Sequence, residues 1–138
     1  MLDEERPELQ MEVDFRVGGQ ESLAADEAAR HGAVVKSVAL PLPYTSDADI
    51  VERVVSAAGP RTVLAILDHI VSPTGFVLPV ADIVRTLKAR GVRVLIDGAH
   101  GPGQIPLNVP GLGADWVTGN LHKWLYAMYL LVTARKGI

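Results

Sequence analysis

The chain has 138 residues, 49% of them hydrophobic and 21% charged, with a formal net charge of −3. This length permits one domain with a hydrophobic core, and the composition excludes a largely disordered chain. The small negative charge provides no basic field for nucleic acid, so we expect no nucleic-acid partner. The sequence contains no cysteine, which excludes disulfides, thiolate metal sites and cysteine nucleophiles and is compatible with the cytoplasm.

Nine of the sixteen carboxylates lie in residues 1–30, and we interpret residues 1–20 as an acidic, weakly defined N-terminal segment. The first ten residues lack an apolar run, so we identify no signal peptide there. The longest apolar stretch near the other end, residues 124–132, is far too short to cross a bilayer. We therefore expect no membrane association.

The first part of the chain is predicted to alternate strands and helices. Residues 9–17 alternate apolar and polar side chains like a strand, and the Ala-rich residues 21–31 predict a helix that ends at Gly32. A strand is predicted over residues 33–40. A helix follows, which Ser46 or Asp47 can cap and which ends at Gly59.

The later elements continue this alternation. Strands are predicted over residues 62–67 and 92–96, with Asp97 just past the second, and a helix runs between them from Pro79 to Gly91. A Gly- and Pro-rich loop over residues 98–110 precedes short strands at 114–117 and 129–134. The order predicts an α/β fold with three layers, in which helices flank a mainly parallel sheet. Ligands of such sheets bind at the carboxyl ends of the strands.

Two residues near those ends could carry chemistry together. Asp97 follows a buried strand, where its carboxylate either caps the next loop or binds a ligand. Lys123 lies between His122 and Trp124, where it is either a solvated cation or an amine for Schiff-base chemistry. An aromatic nitrogen heterocycle with an aldehyde would use both, because the carboxylate would keep the ring nitrogen protonated and the lysine would form the imine.

A small metal- or nucleotide-binding α/β domain is a less favoured alternative. Two Asp-His pairings follow the strands, but the four histidines lack a short ligand spacing. The glycines of residues 98–103 lack the pattern of a phosphate-binding loop. We therefore predict no metal ligands.

Three segments carry a family resemblance: DHIVSPTGFVLPV over residues 68–80, VLIDGAHGPGQIPL over 94–107 and GADWVTGNLHKWL over 113–125. They resemble the class V aminotransferase family, which comprises fold-type I enzymes dependent on pyridoxal 5′-phosphate, and in particular its isopenicillin-N-epimerase-like branch. The resemblance implies that residues 21–138 are part of the large domain of such an enzyme. It also implies an amino-acid substrate and a possible homodimer.

The resemblance also assigns roles to individual residues. Lys123 matches the catalytic lysine that forms the internal aldimine, and Asp97 matches the carboxylate that pairs with the pyridinium nitrogen. The other implied cofactor contacts are His100 near the phenolic oxygen, Asn120 and His122 near the phosphate, and Thr74 in the loop over residues 72–75.

The resemblance spans residues 23–125, and the family's phosphate-binding loop, ring-stacking aromatic residue and C-terminal small domain have no counterpart. We therefore expect a truncated aminotransferase, epimerase or lyase with little or no activity alone. The alternative from another class is a non-catalytic remnant or interaction module that binds no cofactor.

Overall fold

A computed structural model of the chain describes residues 10–13, 29–128 and 131–135. Three helices occur in these residues: α1 (Asp47–Ala57), α2 (Val80–Ala89) and the short α3 (Val109–Leu112). The strands are β1 (Gln10–Val13), β2 (Val35–Ser37), β3 (Leu64–Asp68), β4 (Arg93–Asp97), β5 (Trp116–Asn120) and β6 (Leu131–Arg135).

The six strands form one sheet in the order β2-β1-β3-β4-β5-β6. Every neighbouring pair is parallel except β5 and β6, which are antiparallel. This arrangement confirms the predicted α/β fold with a mainly parallel sheet and flanking helices. The carboxyl ends of β3, β4 and β5 therefore lie side by side at one edge.

The hydrophobic core lies between the sheet and helices α1 and α2. Leu67 and Ile96 on adjacent strands are fully buried, as are Ile50 of α1 and Leu87 of α2. Each such side chain contributes about 1.5–3 kcal/mol to folding through the apolar surface it removes from water. Because side chains alternate along a strand, Asp68 and Asp97 point to the face opposite this core.

The helix boundaries follow the local signals in the sequence. Ser46 caps α1, since its hydroxyl accepts a hydrogen bond from the backbone N–H of Asp49 at 3.1 Å, as predicted. Pro79 stands one position before α2 rather than inside it, and its carbonyl accepts a bond from the N–H of Ile83. The predicted loop over residues 98–110 is interrupted at its end by α3, which Asn108 caps.

Strands β2 to β5 all differ from their predicted bounds by one to three residues at each end, and two of these differences involve aspartates. β4 includes Asp97, which pairs with Asp68 on one side and Thr118 on the other. β5 begins at Trp116 instead of residue 114, because the Asp115 carboxylate binds other groups: it accepts bonds from the Val94 N–H at 2.8 Å and from Lys88 Nζ at 2.6 Å. Burial alone would raise the pKa of Asp115, but these two hydrogen bonds together with the charges of Lys88 and Arg93 lower that pKa.

Some predictions fall on residues outside the described part. Of the predicted helix over residues 21–31, only 29–30 are described as helical, and the chain turns at Gly32, which has a φ of +68°. The acidic segment over residues 1–20 is described only at β1, so the domain boundary stays a prediction. No helix among the described residues is both long enough and apolar enough to span a bilayer.

Candidate active site

Backbone hydrogen bonds tie the carboxyl ends of three strands together. The N–H of His69, just after β3, donates to the carbonyl of Asp97 at 2.8 Å. The N–H of Gly98, just after β4, donates to the carbonyl of Thr118 in β5 at 2.9 Å. The three loops that leave this edge therefore start from fixed positions.

The loop after β4 packs closely against the loop after β5. Gly119 lies against Pro102, since a Cβ on this glycine would be 3.3 Å from the proline ring. Gly103 has a φ of +82°, and a Cβ there would lie 2.9 Å from the Leu125 side chain. This close approach places the side chains of the first loop beside those of the second.

His100 and Lys123 meet across these two loops. Lys123 Nζ lies 2.9 Å from His100 Nε2, and the indole N–H of Trp124 donates to His100 Nδ1 at 3.2 Å. Burial lowers the pKa of His100, and the nearby charge of Lys123 lowers it further, while Asp97 acts in the opposite direction. The sequence marks Trp124 only as a neighbour of the lysine, because no local pattern signals a contact 24 residues away.

Asp97 is held by the backbone of its own loop. Its Oδ1 accepts a hydrogen bond from the N–H of Ala99 at 2.8 Å. The loop-capping interpretation is therefore correct, and it does not exclude the other one, because a carboxylate offers about four acceptor positions. Asp97 also acts electrostatically on His100, so the predicted carboxylate and the histidine belong to one cluster.

The remaining predicted residues lie in two places. Asn120 ends β5, and His122 follows in the turn that carries Lys123; both side chains are half-buried. Thr74 lies in the turn after β3, where its hydroxyl accepts a bond from the N–H of Phe76 at 3.4 Å. The structure thus brings Asp97, His100 and Lys123 together, places Asn120 and His122 on the lysine segment, and gives Thr74 a contact within its own turn.

A second histidine lines a cavity behind this cluster. The cavity has a volume of about 220 Å³ and is mostly apolar, with His69 in its wall beside residues such as Gly98, Pro102, Leu107, Gly119 and Leu121. His69 is 7% exposed, and its buried Nδ1 has no hydrogen-bond partner among the described residues. Burial lowers the pKa of His69, because the charged imidazolium is poorly solvated there.

This shift predicts an acid-sensitive contribution to folding stability. Because the pKa of His69 is lower in the folded chain than in the unfolded chain, the unfolded state binds more protons below about pH 6.5. The free energy of unfolding should then fall with decreasing pH until the folded pKa is reached. We expect His69→Gln to reduce this slope by up to about 1.4 kcal/mol per pH unit.

The slope can be measured by urea denaturation between about pH 5 and 7, where an unperturbed histidine titrates. His31→Gln is the matched control, since His31 is exposed. His100 contributes to the slope in both variants and cancels in the comparison. Equal slopes in His69→Gln and His31→Gln would contradict the prediction.

Among the described residues, no group of three or more histidine and carboxylate side chains could hold a metal ion.

Comparison with known proteins identifies the family of the chain. The family model described as "Aminotransferase class-V" matches residues 19–128. The chain belongs to the class V aminotransferase family. The match includes both loops of the cluster and confirms the resemblance that the three sequence segments indicate.

Curated relatives of this family align with most of the chain. It is 40% identical over 100 residues to "Isopenicillin N epimerase" of Streptomyces clavuligerus, covering 72% of this chain and 25% of the relative. It is 45% identical over 105 residues to "Putative L-cysteine desulfhydrase 1" of Oryza sativa subsp. japonica, covering 71% and 22%. The chain therefore spans about a quarter of the length of these class V relatives.

Solved structures agree with this assignment. The chain is similar to the cystine C–S lyase C-DES in complex with its reaction product cysteine persulfide, with a TM-score of 0.83 and 27% identity, covering 99% of this chain and 37% of that one. It is also similar to a C-DES lysine-to-alanine variant with glycine covalently linked to the PLP cofactor, with a TM-score of 0.82 and 26% identity, covering 99% and 36%.

Proposed function

We propose that the chain carries the lysine-bearing part of a pyridoxal 5′-phosphate-dependent site that acts on an amino acid. The observation that carries this proposal is the contact between Lys123 Nζ and His100 Nε2 at 2.9 Å, beside Asp97 at the carboxyl edge of the sheet. A primary amine that forms the imine and a carboxylate that pairs with the ring nitrogen are the groups that such chemistry needs.

The residues of the cluster fit this cofactor. One oxygen of Asp97 binds the Ala99 N–H, so acceptor capacity is left for the protonated ring nitrogen of a pyridine. The imidazole of His100 lies close enough to Lys123 for the two side chains to exchange a hydrogen bond. Further contacts to the cofactor are proposed for Asn120, His122 and Thr74, as the family resemblance implies.

When bound, pyridoxal phosphate supplies an aldehyde that takes up amino groups and a ring that withdraws electrons from the α carbon of the substrate. Lys123 supplies the amine that attaches the cofactor, and it afterwards carries protons to and from the substrate as a general base. Asp97 keeps a proton on the ring nitrogen through its negative charge. His100 hydrogen-bonds the lysine and limits how far its amine can move.

The reaction class is part of the proposal. Two similar proteins are named for isopenicillin N epimerisation and cysteine desulfhydration, and C-DES is named a cystine C–S lyase. These names support epimerisation or elimination on an amino acid, and the description of the family supports transamination. We propose that this chain alone has weak activity, because it spans about a quarter of the length of the curated relatives. The homodimer expected from the family stays a prediction.

Covalent attachment of the cofactor tests the proposal directly. The full chain is incubated with pyridoxal phosphate, reduced with borohydride and digested, and the modified peptides are identified by mass spectrometry. We expect the modification to be concentrated on Lys123 and to disappear from that peptide in Lys123→Ala. Lys36→Ala is the matched control, since Lys36 is bonded to the Ala57 carbonyl on another part of the fold.

Two outcomes would overturn this proposal. Labelling spread equally over all lysines would indicate nonspecific reaction with the aldehyde. Absence of labelling at millimolar cofactor would favour the non-catalytic alternative.

A further inference from the structure

His100 stands between two nitrogen groups whose hydrogen-bonding abilities differ. Its Nδ1 lies 3.2 Å from the indole nitrogen of Trp124, and its Nε2 lies 2.9 Å from Lys123 Nζ. The two ring centroids are 6.4 Å apart and the planes are inclined at 59°, so the rings do not stack face to face. The contact is instead the hydrogen bond that the indole N–H donates to Nδ1 at the edge of the imidazole ring.

The indole determines where the imidazole proton resides. A tryptophan N–H can only donate, so His100 Nδ1 must be the acceptor and carry no proton. A neutral imidazole then has its single proton on Nε2, which is the nitrogen that faces Lys123. An imidazolium is incompatible with this contact, because both of its nitrogens are donors.

The proton on Nε2 in turn determines which form of Lys123 can bind. An N–H on His100 Nε2 needs a lone pair on the lysine nitrogen, and only the uncharged amine has one. A lysine ammonium would require both imidazole nitrogens to accept, which leaves the ring without its proton. The observed pair of distances is therefore satisfied by a neutral imidazole beside a free amine.

We propose that Trp124 is a positioning residue that selects the Nε2–H form of His100 and thereby presents Lys123 as a free amine. This inference rests on the proposed function of Lys123 as the attacking amine. Trp124 acts through His100 and needs no contact with substrate or cofactor.

The electrostatic environment is consistent with this role. The titratable groups that act on His100 are Lys123 and Asp97. Burial, the largest effect, lowers the pKa of His100 toward the neutral ring, and Lys123 lowers it further only while it carries its proton, whereas Asp97 raises it. Trp124 is 46% exposed, so its replacement by phenylalanine removes the N–H without opening a buried cavity.

The first test uses the chain without cofactor and measures directly which ring nitrogen of His100 is protonated. Nitrogen-15 NMR of the histidine side chains distinguishes protonated from unprotonated ring nitrogens. In the unsubstituted chain we expect His100 to be neutral at pH 7 with its proton on Nε2. In Trp124→Phe we expect a mixture of tautomers and a higher His100 pKa. Trp116→Phe is the matched control, because that indole lies over Arg93 at 5.8 Å and away from His100.

The second test measures the reactivity of the Lys123 amine. The chain is reductively methylated with formaldehyde and cyanoborohydride, and the rate at each lysine is followed by mass spectrometry against pH, with Lys36 as the internal reference. We expect Trp124→Phe to slow the methylation of Lys123 at pH 7 about fivefold, the net effect of one hydrogen bond. Trp116→Phe should behave like the unsubstituted chain.

Either of two results would overturn the inference. The first is a proton on Nδ1 of His100 in the unsubstituted chain, which requires no variant to fold. The second is an unchanged Lys123 profile in Trp124→Phe. Neither measurement contains pyridoxal phosphate, so cofactor attachment to Lys123 with an unchanged Trp124→Phe profile would reject this inference and leave the proposed function intact.

Discussion

An Asp97→Asn chain is expected to fold normally and to bind pyridoxal phosphate about 10- to 100-fold more weakly. Asparagine keeps a carbonyl oxygen that can accept the bond from the Ala99 N–H, so the loop after β4 should hold its shape. What is lost is the negative charge that we propose pairs with the protonated ring nitrogen. A charged hydrogen bond of this kind contributes about 1.5–3 kcal/mol, which corresponds to the stated change in affinity.

Affinity can be measured by titrating the chain with pyridoxal phosphate and following the absorbance of the bound cofactor, while urea denaturation reports the stability. Asp82→Asn is the matched control, because Asp82 forms an exposed ion pair with Arg85 on α2. The Asp82→Asn substitution should change the stability only slightly, since exposed ion pairs contribute little to it. Equal dissociation constants for Asp97→Asn and Asp82→Asn would show that Asp97 only caps its loop.

A Gly98→Ala chain should be less stable and should lose the contact between His100 and Lys123. A Cβ at this position would lie 2.6 Å from the backbone carbonyl oxygen of Thr118, the same oxygen that accepts the Gly98 N–H. The Cβ has a fixed position relative to the backbone of β4, and the oxygen belongs to the backbone of β5. The clash can therefore be relieved only by separating the two strands. We expect a destabilisation of about 2–4 kcal/mol, which combines overpacking with a weakened hydrogen bond.

The same separation should move His100 away from Lys123, so borohydride-fixed labelling of Lys123 by pyridoxal phosphate should fall in parallel. Gly91→Ala is the informative comparison. Gly91 has a φ of +80° but open space around a Cβ, so its replacement introduces backbone strain of only about 1–2 kcal/mol without a clash. If Gly98→Ala unfolds at the same urea concentration as Gly91→Ala and labels normally, the predicted clash does not operate.

Sequence patterns predicted most of this fold because the decisive signals are local. Ser46 supplies an oxygen at the start of α1, and Val94 and Ile96 lie two residues apart on the buried face of β4. The strand ends were harder to predict. β5 continues to Asn120 because β4 pairs with it as far as Thr118 and β6 pairs with it as far as Asn120, and neither partner is visible in the residues of β5 itself. The antiparallel direction of β6 likewise has no signature in its own residues.

The site was predictable in its residue types and less so in its contacts. Asp97 and Lys123 attract attention because each follows an apolar strand, and topology brings such positions together at one edge. The contact between His100 and Trp124 depends on Gly103 and Gly119 letting two loops approach each other, which no local pattern encodes. The cavity beside His69 is similarly invisible in sequence, because its wall comes from several separate segments.

The backbone hydrogen bonds from His69 to Asp97 and from Gly98 to Thr118 fix the spacing of the loops that leave this edge of the sheet. Most of the side chains in these loops do not determine that spacing. Close contacts constrain Gly98, whose Cα faces a carbonyl oxygen, and also Gly103 and Gly119, which lie against Leu125 and Pro102. Side chains at loop positions without such contacts can change without altering the distances between the loops. Such a scaffold suits divergence and redesign. A new reaction specificity requires new side chains in the loops, while the sheet and the spacing of the loops are retained.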